Sequence, residues 1–339
     1  MTRTVALLGA TGYTGRLVAA ELARRGIEHR LGGRSAERLA AVPSAGERHV
    51  VDLTDPSSLD VFLDGVDVLV TCVGPFTLFG MPVVEAAVRT GTTYIDSTGE
   101  FGFMSQVYRR FREAASAVVP ACGFDYIPGD LAAAVAAAEL GGSVDQIDVF
   151  YRMRHGKATR GTALSGVAAL TSASLNPRRM TVEGPDGPLS AIEVPWGEHV
   201  TVPLHVPGAR VRSGLVAPDT MTRAIGRAAP VLRLATPLTR LAVPLLRRAA
   251  DRLPEGPDEA TRGRADALVV ACARRAQHQA RVAIRCRDGY GLTARLLVEA
   301  ALQVEGAGAM APAEALTPRA FLDSVSGEDA NGRFSWEIL

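Results

Sequence analysis

Residues Val5-Ala6-Leu7-Leu8-Gly9-Ala10-Thr11-Gly12-Tyr13-Thr14-Gly15-Arg16 pass from an apolar run through a glycine turn into a helix start. A buried strand that turns over glycine into a helix aims backbone N–H groups at a phosphate, as dinucleotide-binding folds require. The spacing is GxxGxxG rather than GxGxxG, and either pattern alone is weak, so the next strand carries the decision. Where an NAD site places an acid on the ribose hydroxyls, Glu28-His29-Arg30-Leu31-Gly32-Gly33 ends in Arg34-Ser35. Arginine there suits a 2′-phosphate, so the segment from Gly9 to Gly15, with Arg34 and Ser35, predicts an NADP(H) site. The competing role for Arg34 is a solvated residue at a helix start beside a turn that is merely tight.

Short apolar runs alternate with helix-like stretches from Thr4 to about Ala121, as βαβ units do. The pattern predicts an α/β, doubly wound parallel sheet with strands at 5–9, 29–33, 49–52, 66–72, 93–95 and 117–121. Asp55 is placed to cap the helix after the third strand, with Pro56 at its first position. After Gly123 the texture changes: a strand at 147–154, a helix at 162–174 and short strand-like runs over 180–212 predict a mixed-sheet α+β substrate domain. The block Gly289-Tyr290-Gly291-Leu292-Thr293, followed by a helix over 294–305, is expected to bring the chain back to the first domain. The expected boundaries are 1–125 for nucleotide binding, 126–285 for substrate and dimerisation, and 286–339 for the returning segment.

A length of 339 residues favours two domains or a large insertion. With 37 basic and 36 acidic residues the chain has no global field to attract nucleic acid. Cys72, Cys122, Cys272 and Cys286 lie far apart without a CxxC, which predicts neither a metal site nor a disulfide framework and fits a reducing cytoplasm. Met1-Thr2-Arg3-Thr4 runs straight into the first strand, so no signal peptide is expected. Lys157 is the sole lysine and Met153 lies four residues before it, so a Tyr-x-x-x-Lys pair is excluded and Schiff-base chemistry could use only Lys157.

A seven-residue repeat starts at Pro230, Pro237 and Pro244, with Arg233, Arg240 and Arg247 at matching places. At helical spacing it is amphipathic, and its prolines must kink it. A bilayer-spanning helix is excluded by the arginines and prolines. Two roles stay open for 224–250: a helix or lid packing its leucines on the protein, or a peripheral membrane contact, since seven arginines from Arg223 to Arg252 face only Asp251.

Asp52 and Leu53 close the third strand where the adenine end of a cofactor is usually received; a helix cap is the rival role for Asp52. Cys72, Val73, Gly74 and Pro75 end the fourth strand at the carboxyl edge, the ligand edge of open α/β sheets. Gly74 lets backbone approach the ribose and nicotinamide, and Cys72 is expected as a small core residue rather than a nucleophile.

Taken together, these segments resemble the saccharopine dehydrogenase-like NADP-binding family. The resemblance rests on Gly9-Ala10-Thr11-Gly12-Tyr13-Thr14-Gly15, Gly33-Arg34-Ser35, Val73-Gly74-Pro75-Phe76, Tyr94-Ile95-Asp96-Ser97-Thr98-Gly99-Glu100 and Cys122-Gly123-Phe124-Asp125-Tyr126-Ile127-Pro128-Gly129-Asp130, in that order. Leu253-Pro254-Glu255-Gly256-Pro257, Gly289-Tyr290-Gly291-Leu292-Thr293-Ala294 and Ala311-Pro312-Ala313-Glu314-Ala315 are similar to the branch that includes bacterial trans-acting enoyl reductases. The resemblance implies an NADPH-dependent reductase: a Rossmann-type domain, a substrate domain inserted after the Gly-Phe-Asp segment, and C-terminal helices returning to the first domain. The leucine-rich 224–250 stretch suits an acyl or polyketide-type chain, so C=C reduction is expected, with C=N reduction of the saccharopine type as the alternative. A non-catalytic NADP(H)-binding redox sensor is the reading from another class.

Asp96, Glu100 and Asp125 fall in the two motifs at the carboxyl edge, where one could donate or position a proton, or each could hold a loop or cap a helix. Tyr126 is the alternative proton donor, and His155 is either a loop or a site residue. A homodimer is a further expectation.

Overall fold

The computed structural model describes residues 3–156, 178–227, 244–245, 248–249, 252–329 and 332–339. The helix expected at 162–174, Lys157 and most of the proline-arginine repeat lie outside the described residues. The chain divides into two compact units, 1–127 with 290–325 and 329–331, and 128–289 with 326–328 and 332–339.

In the first unit the strands are β1 (Val5–Leu8), β2 (His29–Gly33), β3 (Glu47–Val50), β4 (Val68–Thr71), β5 (Thr93–Asp96), β6 (Ala117–Val119) and the short β13 (Gly308–Ala309). They form one parallel sheet in the order β13-β6-β5-β4-β1-β2-β3. The order reverses direction between β1 and β4, the place where such sheets open a crevice at their carboxyl ends. β1 and β4 are buried at every position, as strands covered on both faces must be, which is why they read as plain apolar runs. Leu8, Phe62, Leu69, Phe76, Tyr94 and Phe103 belong to the core on one side of this sheet.

The helices of this unit are α1 (Tyr13–Arg24), α2 (Ala36–Ala40), α3 (Pro56–Leu63), α4 (Phe76–Thr90) and α5 (Phe101–Arg110). Asp55 caps α3 through Ser57 N–H, with Pro56 opening the helix. α4 stops at Gly91, whose φ of 73° is the left-handed conformation glycine supplies at a helix end. From the C-terminal part come α9 (Gly289–Gln303), α10 (Pro312–Ala315) and α11 (Pro318–Ser324). Tyr290 near the start of α9 meets Tyr13 at the start of α1, and Glu299 near its end pairs with Arg25, the C-cap of α1. The two helices therefore run side by side in the same direction. Arg3 donates to Ala301 O (3.0 Å) and Val304 O (2.9 Å), satisfying carbonyls at the end of α9.

In the second unit, α6 (Ile127–Leu140) leads from the boundary into β7 (Gln146–Arg154), β8 (Arg178–Gly184), β9 (Gly187–Glu193), α7 (Glu198–His205), β10 (Arg210–Val216), α8 (Glu259–Arg264), β11 (Asp266–Arg275) and β12 (His278–Arg287). With β14 (Gly327–Asp329) and β15 (Gly332–Ile338), the strands form a sheet ordered β14-β15-β12-β11-β7-β10-β9-β8. β10 runs parallel to β7, while the β7–β11, β11–β12, β12–β15, β8–β9 and β9–β10 pairs are antiparallel. The expected returning segment divides: 290–325 joins the first unit, whereas 332–339 pairs with β12 and closes what would otherwise be an open edge. No helix among the described residues is long and apolar enough to cross a membrane.

Candidate active site

Six loops leave the carboxyl ends of β1 to β6, and all the residues singled out above at that edge lie on them. At the first, Gly9 has a φ of +85°, and an ideal Cβ on it would meet Val73 Cγ2 at 2.8 Å. Its N–H and that of Ala10 donate to Gly32 O (2.9 and 3.2 Å), tying the turn to β2. A Cβ on Gly15 would sit 2.1 Å from Gly9 O, so only glycine lets α1 rest on the turn. Gly12, the N-cap, differs: its Cβ would meet only Gly9 O, at 3.3 Å, leaving the rest of that side open. No side chain caps α1 and no acid stands in its first turn. Ala10 is buried, while Thr11, Tyr13 and Thr14 are half-buried. Thr11 O accepts from Arg16 (2.8 Å) and Arg38 (3.3 Å), which draws two guanidiniums over the turn. The Tyr13 ring meets Tyr290 edge to face, centroids 5.3 Å apart.

Arg34 is exposed just past β2, and Ser35 caps α2 by accepting from Arg38 N–H at 3.3 Å. Asp52 accepts from both Thr54 N–H (2.8 Å) and Thr54 Oγ1 (2.7 Å); these bonds hold its carboxyl below the usual range. Asp52 thus shapes the loop, and the helix cap belongs to Asp55. Leu53 packs partly buried on the core.

Cys72 keeps some accessible surface, yet burial pushes its thiol up to about 12 against an opposing hydrogen bond with Ser97, so it stays protonated and inert. Val73 is half-buried and touches the core, and Gly74 is exposed with only Phe76 near its Cβ direction, at 3.7 Å. Pro75 is the N-cap of α4 and offers no side-chain bond. Glu100 performs that task from the next strand: its buried carboxylate accepts from Phe76 N–H (2.8 Å) and Thr77 N–H (2.9 Å).

Asp96 is fully buried and accepts from Tyr94 Oη (2.7 Å), Thr98 N–H (2.8 Å) and Ala121 N–H (2.8 Å). Burial drives its pKa up to about 6, with the three hydrogen bonds acting against the shift. The Ala121 bond joins the ends of β5 and β6. Tyr126 is buried and donates to Gly99 O (3.1 Å). Asp125 is the exposed carboxyl of the three, and the surrounding protein still desolvates it enough to raise its pKa. His155 belongs to the second unit, exposed, with Nδ1 3.5 Å from Asp266.

Sequence reasoning assigned no role to Thr293, whose Oγ1 accepts from Phe124 N–H at 3.2 Å. Its signal was the Gly289 to Thr293 block, though nothing local tied that block to a loop 169 residues earlier. Among the described residues no group of three or more His, Cys, Asp or Glu side chains could hold a metal ion.

Comparison with known proteins gives three findings. Residues 5–122 match the saccharopine dehydrogenase NADP-binding domain. The chain is 37% identical over 190 residues to a Mycobacterium tuberculosis protein provisionally named a trans-acting enoyl reductase, covering 51% of this chain and 45% of that one. It is also 39% identical over 140 residues to the trans-acting enoyl reductase of Mycobacterium leprae, covering 38% and 34%. The matched part thus spans less than half the length of these curated relatives. Among solved structures, apo saccharopine dehydrogenase (L-Glu forming) from Saccharomyces cerevisiae superposes with a TM-score of 0.64 over 99% of this chain and 100% of that chain at 14% identity, which establishes a shared fold.

Proposed function

We propose, from the premise that residues 5–122 belong to the saccharopine dehydrogenase NADP-binding domain family, that the chain is an NADPH-dependent reductase of a C=C bond in a hydrophobic acyl or polyketide-type substrate. The observation that carries the reading is the first carboxyl edge: an uncapped α1 with no acid in its first turn, an open side at Gly12, and Arg34 past β2. These features fit a pyrophosphate and a 2′-phosphate. In this reading Gly9, Ala10, Thr11, Gly12, Tyr13, Thr14 and Gly15 hold the pyrophosphate and Arg34 with Ser35 the 2′-phosphate. Cys72, Val73, Gly74 and Pro75 flank the nicotinamide half, and Asp52 and Leu53 border the adenine end. When bound, NADPH supplies the hydride.

Of the four proton-donor candidates, Asp96 is consumed by three hydrogen bonds, Glu100 by the start of α4, and the Tyr126 hydroxyl by Gly99 O. Asp125 combines solvent access with a raised pKa, which favours holding a proton, and we assign it the donor role. The names of the mycobacterial relatives support an enoyl acceptor. Leu78, Phe79 and Phe101, exposed in the first turns of α4 and α5, support an apolar one. The saccharopine dehydrogenase fold keeps imine reduction as the second reading.

The test is NADPH oxidation by the full chain with an α,β-unsaturated acyl thioester, set beside a keto acid and amino acid mixture that forms an imine. Oxidation with the thioester alone is expected, and Asp125→Asn should slow it roughly 100-fold or more without weakening NADPH binding. Turnover of the imine alone would overturn the C=C assignment. Tight NADPH binding with neither acceptor consumed would favour a sensor.

A further inference from the structure

The first turn of α9 touches two parts of the first unit that are distant in sequence. Tyr290 packs edge to face on Tyr13, the residue after the Gly12 cap, and Thr293 accepts from Phe124 N–H, the residue before Asp125. A Cβ on Gly123 would lie 3.4 Å from Thr293 Cγ2, so this loop has room for little but glycine against the helix. Residues three apart share one face of a helix, so both contacts come from the same side of α9.

α9 is itself held along its length. Arg295 donates to Val325 O, Glu299 pairs with Arg25, and Gln303 donates to Ser324 Oγ at 3.0 Å. A helix fixed at several points transmits a shift at one end of its first turn to the other as a rigid body. Both rings of the Tyr13–Tyr290 pair are half-buried at the rim of the glycine turn, unlike the fully buried aromatic residues of the core.

We propose that Tyr290 and Thr293 are positioning residues that couple the glycine turn to the loop carrying Asp125, so that a dinucleotide on the turn orders the 122–126 loop. The coupling rests on the reductase reading only for its catalytic consequence. Tyr290 sets the Tyr13 ring over the start of α1, and Thr293 holds the backbone on which Asp125 is mounted.

The experiment measures amide exchange of residues 122–126 in the full chain with and without NADPH, for wild type, Thr293→Val, Thr293→Ser, Tyr290→Ala and Tyr290→Phe. NADPH should slow exchange in wild type and in the Ser and Phe variants, and fail to do so in Thr293→Val and Tyr290→Ala. NADPH affinity should stay within about 5-fold in Thr293→Val, the effect of one lost hydrogen bond, and fall about 2- to 10-fold in Tyr290→Ala, the range for one aromatic pair. Equal slowing in all five proteins, or none in wild type, would overturn the coupling. If NADPH slows the loop but no enoyl thioester is reduced, the coupling stands and the reductase reading falls. If the thioester is reduced with the same kcat and pH profile in Thr293→Val, the reductase reading stands and the coupling falls.

Discussion

Replacing Glu100 separates a catalytic carboxylate from a structural one. Its side chain is 5% exposed and accepts two backbone N–H bonds at 2.8 and 2.9 Å, at the start of a helix that has no other side-chain cap. A hydrogen bond to a charged group contributes about 1.5–3 kcal/mol, and a lost N-cap costs about 1 kcal/mol. These figures overlap, and water can re-satisfy the exposed Thr77 end but not buried Phe76. Glu100→Ala should therefore destabilise the first unit by about 3 kcal/mol, and Glu100→Gln, which keeps an acceptor oxygen and loses the charge, by about 1 kcal/mol. Urea unfolding followed by circular dichroism measures this, the midpoint moving with little change in slope. NADPH oxidation per folded molecule should fall far less in Glu100→Gln than in Asp125→Asn. An unchanged midpoint in Glu100→Ala together with lost turnover would refute the capping argument and return Glu100 to the list of proton donors.

Arg34→Ala should weaken NADPH by roughly 10- to 100-fold and leave NADH within a few-fold, since it removes a charge-assisted contact specific to the 2′-phosphate; equal loss of both cofactors in a binding titration would place that phosphate elsewhere. Gly12→Val should fold and lose NADPH binding, because its side chain would enter the open side of the turn, whereas Gly15→Ala should unfold or rearrange the turn against Gly9 O, as circular dichroism beside the titration would report. Asp96 carries a folded-state pKa near 6 against a usual 3.8, so its contribution to stability is fully present below 3.8 and lost as pH rises through 6. Relative to Asp96→Asn, wild type should gain up to about 3 kcal/mol between pH 7 and pH 4 in urea midpoints converted to free energies, and a parallel pH dependence would remove the assignment.

The sheet of the first unit was legible because strands covered on both faces carry uninterrupted apolar residues, as in Val5-Ala6-Leu7-Leu8 and Val68-Leu69-Val70. The Asp55-Pro56 start was legible because capping acts within one turn. The β11–β12 hairpin was not: its turn, Ala276-Gln277, has no glycine or asparagine, and Ala276 sits at a φ of +51°. Asp145, from elsewhere in the chain, supports that turn by accepting from Ala276 N–H at 3.1 Å. The carboxyl-edge acids were legible as a group but not by role. Glu100 caps a helix 24 residues earlier and Asp96 ties down Ala121 25 residues later, and neither distance follows from local pattern.

The pairing of β13 with β6 affects how the chain is made. Roughly 180 residues separate the two strands, and at about 5–20 residues per second a ribosome needs on the order of 10–40 s to deliver the second after the first. Throughout that interval the nascent first unit has an open β6 edge, and the flank of α1 that α9 will cover stays bare. Its dinucleotide turn emerges among the first residues synthesised, but the Tyr290 and Thr293 contacts arrive only near the end. A fragment ending after α6 would be arrested at this same stage: six strands, an uncovered edge, and a loop at 122–126 with no threonine to hold it.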